Sequence, residues 1–242
     1  MPVNMNAGRA MLVSMIRERM DANQAGTLFA FGAGEPWWGK PQAEVVTLGE
    51  DGSAALKHPV FDSTPVSVSL ADGSQNFVEA DFAIGPSGVI ARTEASNIAP
   101  DAMLSVSYEA AIPAPTLHES ALVDEVGRGR MTNIDYVLPS AENENPDARH
   151  LPVGNQSYAF SDEPTRMLLI RGRLAAGDAV GKAITEFGLF SGCEVAADLP
   201  PGQLFYTPDQ IATPGTLLMA DRVRPLARDG MSSLDVTFIL EI

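Results

Sequence analysis

Apolar positions follow two different rhythms along the chain. Residues 6–22 carry Met11, Leu12, Met15, Ile16 and Met20 at helical spacing, with Arg9, Arg17, Glu18 and Arg19 over much of the remainder. That spacing predicts one long helix, capped at its start by Asn6 and ended within residues 23–26. Beyond it the rhythm shortens to two residues. A strand is predicted at 27–31, followed by strands at 44–48 and 54–60 around a hairpin turn at Asp51-Gly52. Val66, Val68 and Leu70 then alternate with Ser67 and Ser69, and Asp72-Gly73 turns the chain. Strands at 77–84 and 89–92 flank a turn at Pro86-Ser87-Gly88, and Leu104, Val106 and Tyr108 alternate with Ser105 and Ser107.

The same pattern continues to the end. Residues 121–127, 131–138, 167–170, 183–190, 202–206 and 216–224 read as extended. The last residues alternate Leu234, Val236, Phe238, Leu240 and Ile242 with Asp235, Thr237 and Glu241, as in a strand tied into a sheet. Prolines (18) and glycines (21) are spread throughout, which favours many short strands over a helical bundle. The expected fold is therefore mainly β, an N-terminal helix plus a β-sandwich-like core. A small β-sandwich at 43–111, bounded by Pro41 and by Pro113-Ala114-Pro115, is expected as an insert between core segments 1–42 and 112–242.

Charge narrows the partners. Sixteen basic residues against 31 acidic ones give a net charge of -15, which repels nucleic acid and anionic membrane surfaces. Segment 43–111 is the most acidic, with Lys57 and Arg92 its only basic residues. No run of about 18 apolar residues predicts a membrane helix. The first residues lack a charged-then-apolar signal pattern, so synthesis in the cytoplasm is expected.

Candidate chemistry is sparse. Gly32-Ala33-Gly34 after a strand resembles the start of a dinucleotide loop, but the third glycine is missing and Pro36-Trp37-Trp38 stands where the phosphate-binding helix would begin. His58, His118 and His150 have no metal-ligand spacing, and Ser87 sits in a turn rather than a nucleophile elbow. Residues 142–147 are a weak candidate for calcium, lacking the glycine and final glutamate of such loops. Cys193 is alone and reads as a small buried side chain. No cofactor, metal or catalytic residue is expected. Four residues are interface candidates: Met11 and Met15 on the helix, which pack into the core or into a neighbour's groove, and Trp37 and Trp38, one pointing in and one out.

Several segments carry a resemblance. They are residues 6–10 with 29–38 (FAFGAGEPWW), residues 183–190 (AITEFGLF), residues 199–210 with 214–218, and the closing 233–240. Together they resemble structural proteins of tailed bacteriophages, associated with tail fibres and baseplates. Residues 66–73, 80–84, 88–90 and 104–108 resemble small immunoglobulin-like modules of virion proteins. The resemblance implies a non-enzymatic component of the virion tail or baseplate, binding other tail proteins and copies of itself as a symmetric oligomer. Two rivals stay open. A carbohydrate-binding tail fibre or adhesin would need exposed aromatics among Phe61, Phe77, Phe82 and Tyr108. A glycan hydrolase would need two carboxylates about 5–9 Å apart in a cleft.

Overall fold

A computed structural model describes residues 10–11, 13–18, 20, 26–61, 64–140 and 149–241. The chain is mainly β with one short N-terminal helix, as the two rhythms predict. It divides into two compact units: residues 1–33, 118–221 and 227–242 form the first, and residues 34–117 with 222–226 the second.

In the first unit β1 (Thr27–Gly32) follows the helix, and the second unit contains β2 (Pro41–Thr47), β3 (Ser53–Ala55), β4 (Ser67–Leu70), β5 (Asn76–Phe77), β6 (Phe82–Ile84), β7 (Val89–Arg92) and β8 (Met103–Glu109). The chain then returns to the first unit with β9 (Glu125–Pro139), β10 (His150–Val153), β11 (Gln156–Ser161), β12 (Met167–Leu174) and β13 (Ala183–Ser191). It finishes with β14 (Glu194–Val195), β15 (Phe205–Tyr206), β16 (Ile211–Thr213), β17 (Thr216–Ala227) and β18 (Leu234–Glu241).

In the first unit every residue of β1 is buried. It lies between β13, with Leu28 opposite Phe190 and Phe31 opposite Phe187, and β9, with Ala30 opposite Arg128. Alternation sends Phe29 and Phe31 to one face and Leu28 and Ala30 to the other. Phe29 stacks on Phe238 of β18 with ring centroids 5.4 Å apart, and Phe31 meets Phe187 edge-on at 6.0 Å. Leu28 and Ala30 pack with Leu122, Phe190, Cys193 and Tyr206. A strand buried on both faces reads as a continuous apolar run, which TLFAFG is.

β9 holds the two sides of this unit together. Its residues Arg128 and Gly129 are flanked by β1 on one edge and β15 on the other, whereas Tyr136 is flanked by Leu168 of β12 and Ser161 of β11. β18 closes the second side by pairing with β12 over eight residues, from Leu234 opposite Leu174 to Glu241 opposite Met167. The sequence divides this stretch into two extended segments around Gly127 and Gly129; the structure has one bulged strand. The glycines mark close approaches rather than a break. A Cβ on Gly127 would run into Phe205, and one on Gly129 would lie 3.2 Å from the Arg173 carbonyl.

The second unit is a sandwich of a four-stranded sheet, in the order β2-β8-β4-β5, and a three-stranded sheet, in the order β3-β7-β6. Val46, Val68, Leu104 and Val106 from the first share one core with Leu56, Phe82 and Ile90 from the second sheet and its flanks. The turns at Asp72-Gly73 and at residues 86–88 join paired strands. The turn at Asp51-Gly52 does not: β2 pairs with β8 and β3 with β7, so it carries the chain from one sheet to the other instead of closing a hairpin. The first strand of the unit thus pairs with its last, which differs from the ABED/CFG order of an immunoglobulin constant domain.

Gly172 of β12 lies against Phe29, and a Cβ there would stand 2.5 Å from the ring's Cδ2 and 3.1 Å from Phe29 Cβ. Gly172→Val is expected to lower stability by about 2 kcal/mol or more through overpacking. Gly177→Ala, which meets nothing within 4 Å, should change little. Urea-unfolding midpoints check the pair, and equal midpoints would contradict the packing described here.

Candidate functional site

The two tryptophans sit in the turn that follows β1, at the entrance of the second unit. Trp38 is 3% exposed, whereas Trp37 is half-buried against the sandwich core. Their rings meet edge-to-face at 6.2 Å, and His58 stacks on Trp37 at 4.2 Å with the planes 18° apart. Residues 222–226 complete the cluster. The Arg222 guanidinium lies 4.6 Å over the Trp38 ring and donates to the Pro113 carbonyl at 3.1 Å. Arg224 lies 4.6 Å over Phe61 and pairs with Glu109 at 3.2 Å, while Pro225 fills the space beside Gly39, where a Cβ would be 2.8 Å from its Cδ. Each cation on an aromatic face contributes about 0.5–1 kcal/mol at exposed sites. These contacts all lie within the second unit. The sequence marks the tryptophans, but Arg222, the cation over Trp38, lies far along the chain and carries no local signal.

The N-terminal helix buries one described methionine, Met20, and leaves Met11 and Met15 outside. Val13 and Met20 are buried, but Met11 and Met15 are 66% and 56% exposed. The Tyr136 hydroxyl bonds the Ser14 Oγ at 3.1 Å, and the Arg17 guanidinium lies 4.4 Å over the Tyr136 ring. Met11 and Met15, one turn apart, therefore share an outward face. Leu12 and the candidate loop at 142–147 lie outside the described residues.

Three buried ionisable groups, Arg128, Glu186 and Asp81, are held by structural partners. Arg128, 3% exposed, forms a two-pronged pair with Glu125 at 2.8 and 2.9 Å, and it also donates to the Pro214 carbonyl and to Cys193 Sγ. Its guanidinium lies 3.7 Å over the Phe190 ring. Burial pushes the Cys193 thiol up despite the opposing pull of Arg128, so it stays protonated, at hydrogen-bond distance (3.3 Å) from the Pro214 carbonyl. Glu186 of β13, 1% exposed, accepts the Val123 and Asp124 backbone N–H groups at 2.8 and 3.4 Å. Gly32 leaves room for it, since a Cβ there would be 2.9 Å from Oε2. Asp81 accepts the Asn97 and Val78 N–H groups, which hold its carboxyl below the usual range.

Among the described residues no group of three or more His, Cys, Asp and Glu side chains could hold a metal ion. His118 is exposed, and His58 is engaged by Trp37. No described helix is long and apolar enough to cross a membrane.

The chain is mainly β, and several of its buried polar groups tie loops to strands. The comparison with known families names an assembly: residues 100–242 match the family described as baseplate wedge 3 tail fiber network component, and the chain belongs to that family. It is a phage tail protein of the baseplate. The matched region holds β8 to β18 and leaves residues 1–99 outside it. Among curated proteins none matches the chain.

Two expectations follow. Glu186→Ala removes the acceptor of the part-buried Val123 and Asp124 N–H groups and should destabilise by about 1–3 kcal/mol, whereas Glu186→Gln keeps an acceptor oxygen and should lose less. Equal losses in urea unfolding would contradict the role given to Glu186. The second concerns Tyr108, whose hydroxyl donates to Glu44 at 2.6 Å. Burial first and the Glu44 bond second push its pKa up to about 12. A pKa raised above the ordinary tyrosine value of about 10 stabilises the fold below pH 10 and loses that contribution as pH climbs towards 12. Tyr108→Phe should abolish a tyrosinate absorbance step near pH 12 and flatten the alkaline loss of stability; an unchanged step would contradict the assignment.

Proposed function

We propose that this chain is a building block of the baseplate that acts by binding other tail proteins and copies of itself, with no catalytic centre of its own. The family match over residues 100–242 carries this reading. The second unit, most of which precedes the matched region, is read as an insert that distinguishes this chain within the family. Met11 and Met15 support a contact with a neighbouring tail protein, because two adaptable apolar side chains stand together in solvent on the helix. The location is the virion tail, after synthesis in the host cytoplasm.

The structure weakens the two rival readings. Phe77, Phe82 and Tyr108 are buried in the sandwich core, and Phe61 lies beneath Arg224, so none forms an open sugar-stacking face. The buried carboxylates Glu186 and Asp81 accept backbone N–H groups, and Glu125 is paired with Arg128, so none is poised as an acid or nucleophile.

A phage carrying a nonsense codon in the gene tests this function. Particles made without the protein should lack an ordered fibre attachment at the baseplate and recover it when the full chain is supplied. The variants Met11→Glu and Met15→Glu should complement less well. Normal baseplates and fibres without the protein would overturn the proposal.

A further inference from the structure

The outer face of the four-stranded sheet in the second unit is unlike the rest of the chain. From β2 it presents Ala43, Val45 and Thr47, opposite Ser107, Ser105 and Met103 of β8. The next strand, β4, extends the rows, with Ser67 opposite Ser107 and Ser69 opposite Ser105. Ala43, Val45, Thr47, Met103, Ser107 and Ser67 are not covered by the second unit itself. The inner positions Val46, Leu104 and Val106 fill the core, which fixes the register and with it the composition of the outer face.

Charge is what this face lacks. At the end of these rows Glu109, opposite Pro41, is neutralised by Arg224 at 3.2 Å. At the other end a shallow depression of about 430 Å³ is lined by Leu70, Ala71, Met103 and Asp72. Between these ends the face consists of small hydroxyl and aliphatic side chains, on a segment that holds many acidic residues within a chain of net charge -15. Two copies of so acidic a protein repel over most of their surfaces, and like charges brought together at a contact cost several kcal/mol. A flat, uncharged sheet face is where the opposition is least. Its small residues allow close approach, while Val45 and Met103 supply exposed apolar side chains on the same face.

We infer that this sheet face is the surface through which a second copy of the chain docks. The inference rests on the self-assembly proposed above and names its site. The test is sedimentation of the full purified chain across a concentration series, with Ser107→Glu, which puts a repelling charge in the face, and Asn155→Glu, which adds the same charge to an exposed turn of the first unit. The wild type and Asn155→Glu should associate alike, and Ser107→Glu should raise the dissociation constant tenfold or more while its circular dichroism and melting curve stay those of the wild type. If Ser107→Glu fails to fold, Ser107→Cys replaces it. The single native cysteine, Cys193, is buried, so oxidation of Ser107→Cys should give a disulfide-linked dimer through the new thiol. Association indifferent to Ser107→Glu, or no cross-link from Ser107→Cys, would overturn this surface and leave self-assembly standing. A wild type that stays monomeric at every concentration would overturn both.

Discussion

A strand buried on both faces has to satisfy two packing surfaces with one alternating sequence, and β1 sets that constraint for the larger unit. Phe29 and Phe31 require a sheet on one side, and β12 and β18 supply it, with Gly172 placed where Phe29 needs room. Leu28 and Ala30 require cover on the other, which comes from the segments around Cys193 and Tyr206. On the edge of β1 formed by β9, the glycines at 127 and 129 admit Phe205 and the Arg173 carbonyl. The charged groups follow from this arrangement. Arg128 and Glu186 stand on the two strands that flank β1, and each uses its buried charge to fasten a distant loop, at Pro214 and at residues 123–124. Removing Glu125 would leave the buried Arg128 charge uncompensated, so this pair is sensitive to substitution.

Much of this was legible in the sequence because period and burial are local signals. The runs that became β1, β12, β13 and β18 are apolar or cleanly alternating, and their type follows from that alone. Partnership is not local, and there the reading fell short. Asp51-Gly52 has the chemistry of a hairpin turn, yet the strands it joins find their partners in different sheets. The helix shows a similar limit: its predicted stripe holds Met11, Met15 and Met20 but not Val13, and only tertiary contact decides that Val13 and Met20 face the core. The tryptophan pair was visible, but Arg222, which lies over Trp38, could not be assigned to it from spacing. Glu186 lies in the segment most like phage structural proteins, and no sequence rule assigns an acidic residue inside a buried strand to capping a loop.

The distribution of polar and apolar groups gives the function its physical form. Inside the units Arg128 is paired with Glu125, Arg222 lies over Trp38, and the sandwich aromatics Phe77, Phe82 and Tyr108 are buried. What remains available lies outside. The helix carries two exposed methionines, and the second unit carries an uncharged sheet face on an acidic chain. Surfaces of these two kinds suit different neighbours: an adaptable apolar contact tolerates a partner of another sequence, and a neutral face tolerates a like-charged copy.

Cryo-electron microscopy of intact particles that contain the protein tests the central claim most directly. The account predicts density for this chain at symmetry-repeated positions in the baseplate, in contact with other tail proteins. Particles whose baseplate density is fully explained by other chains would contradict it.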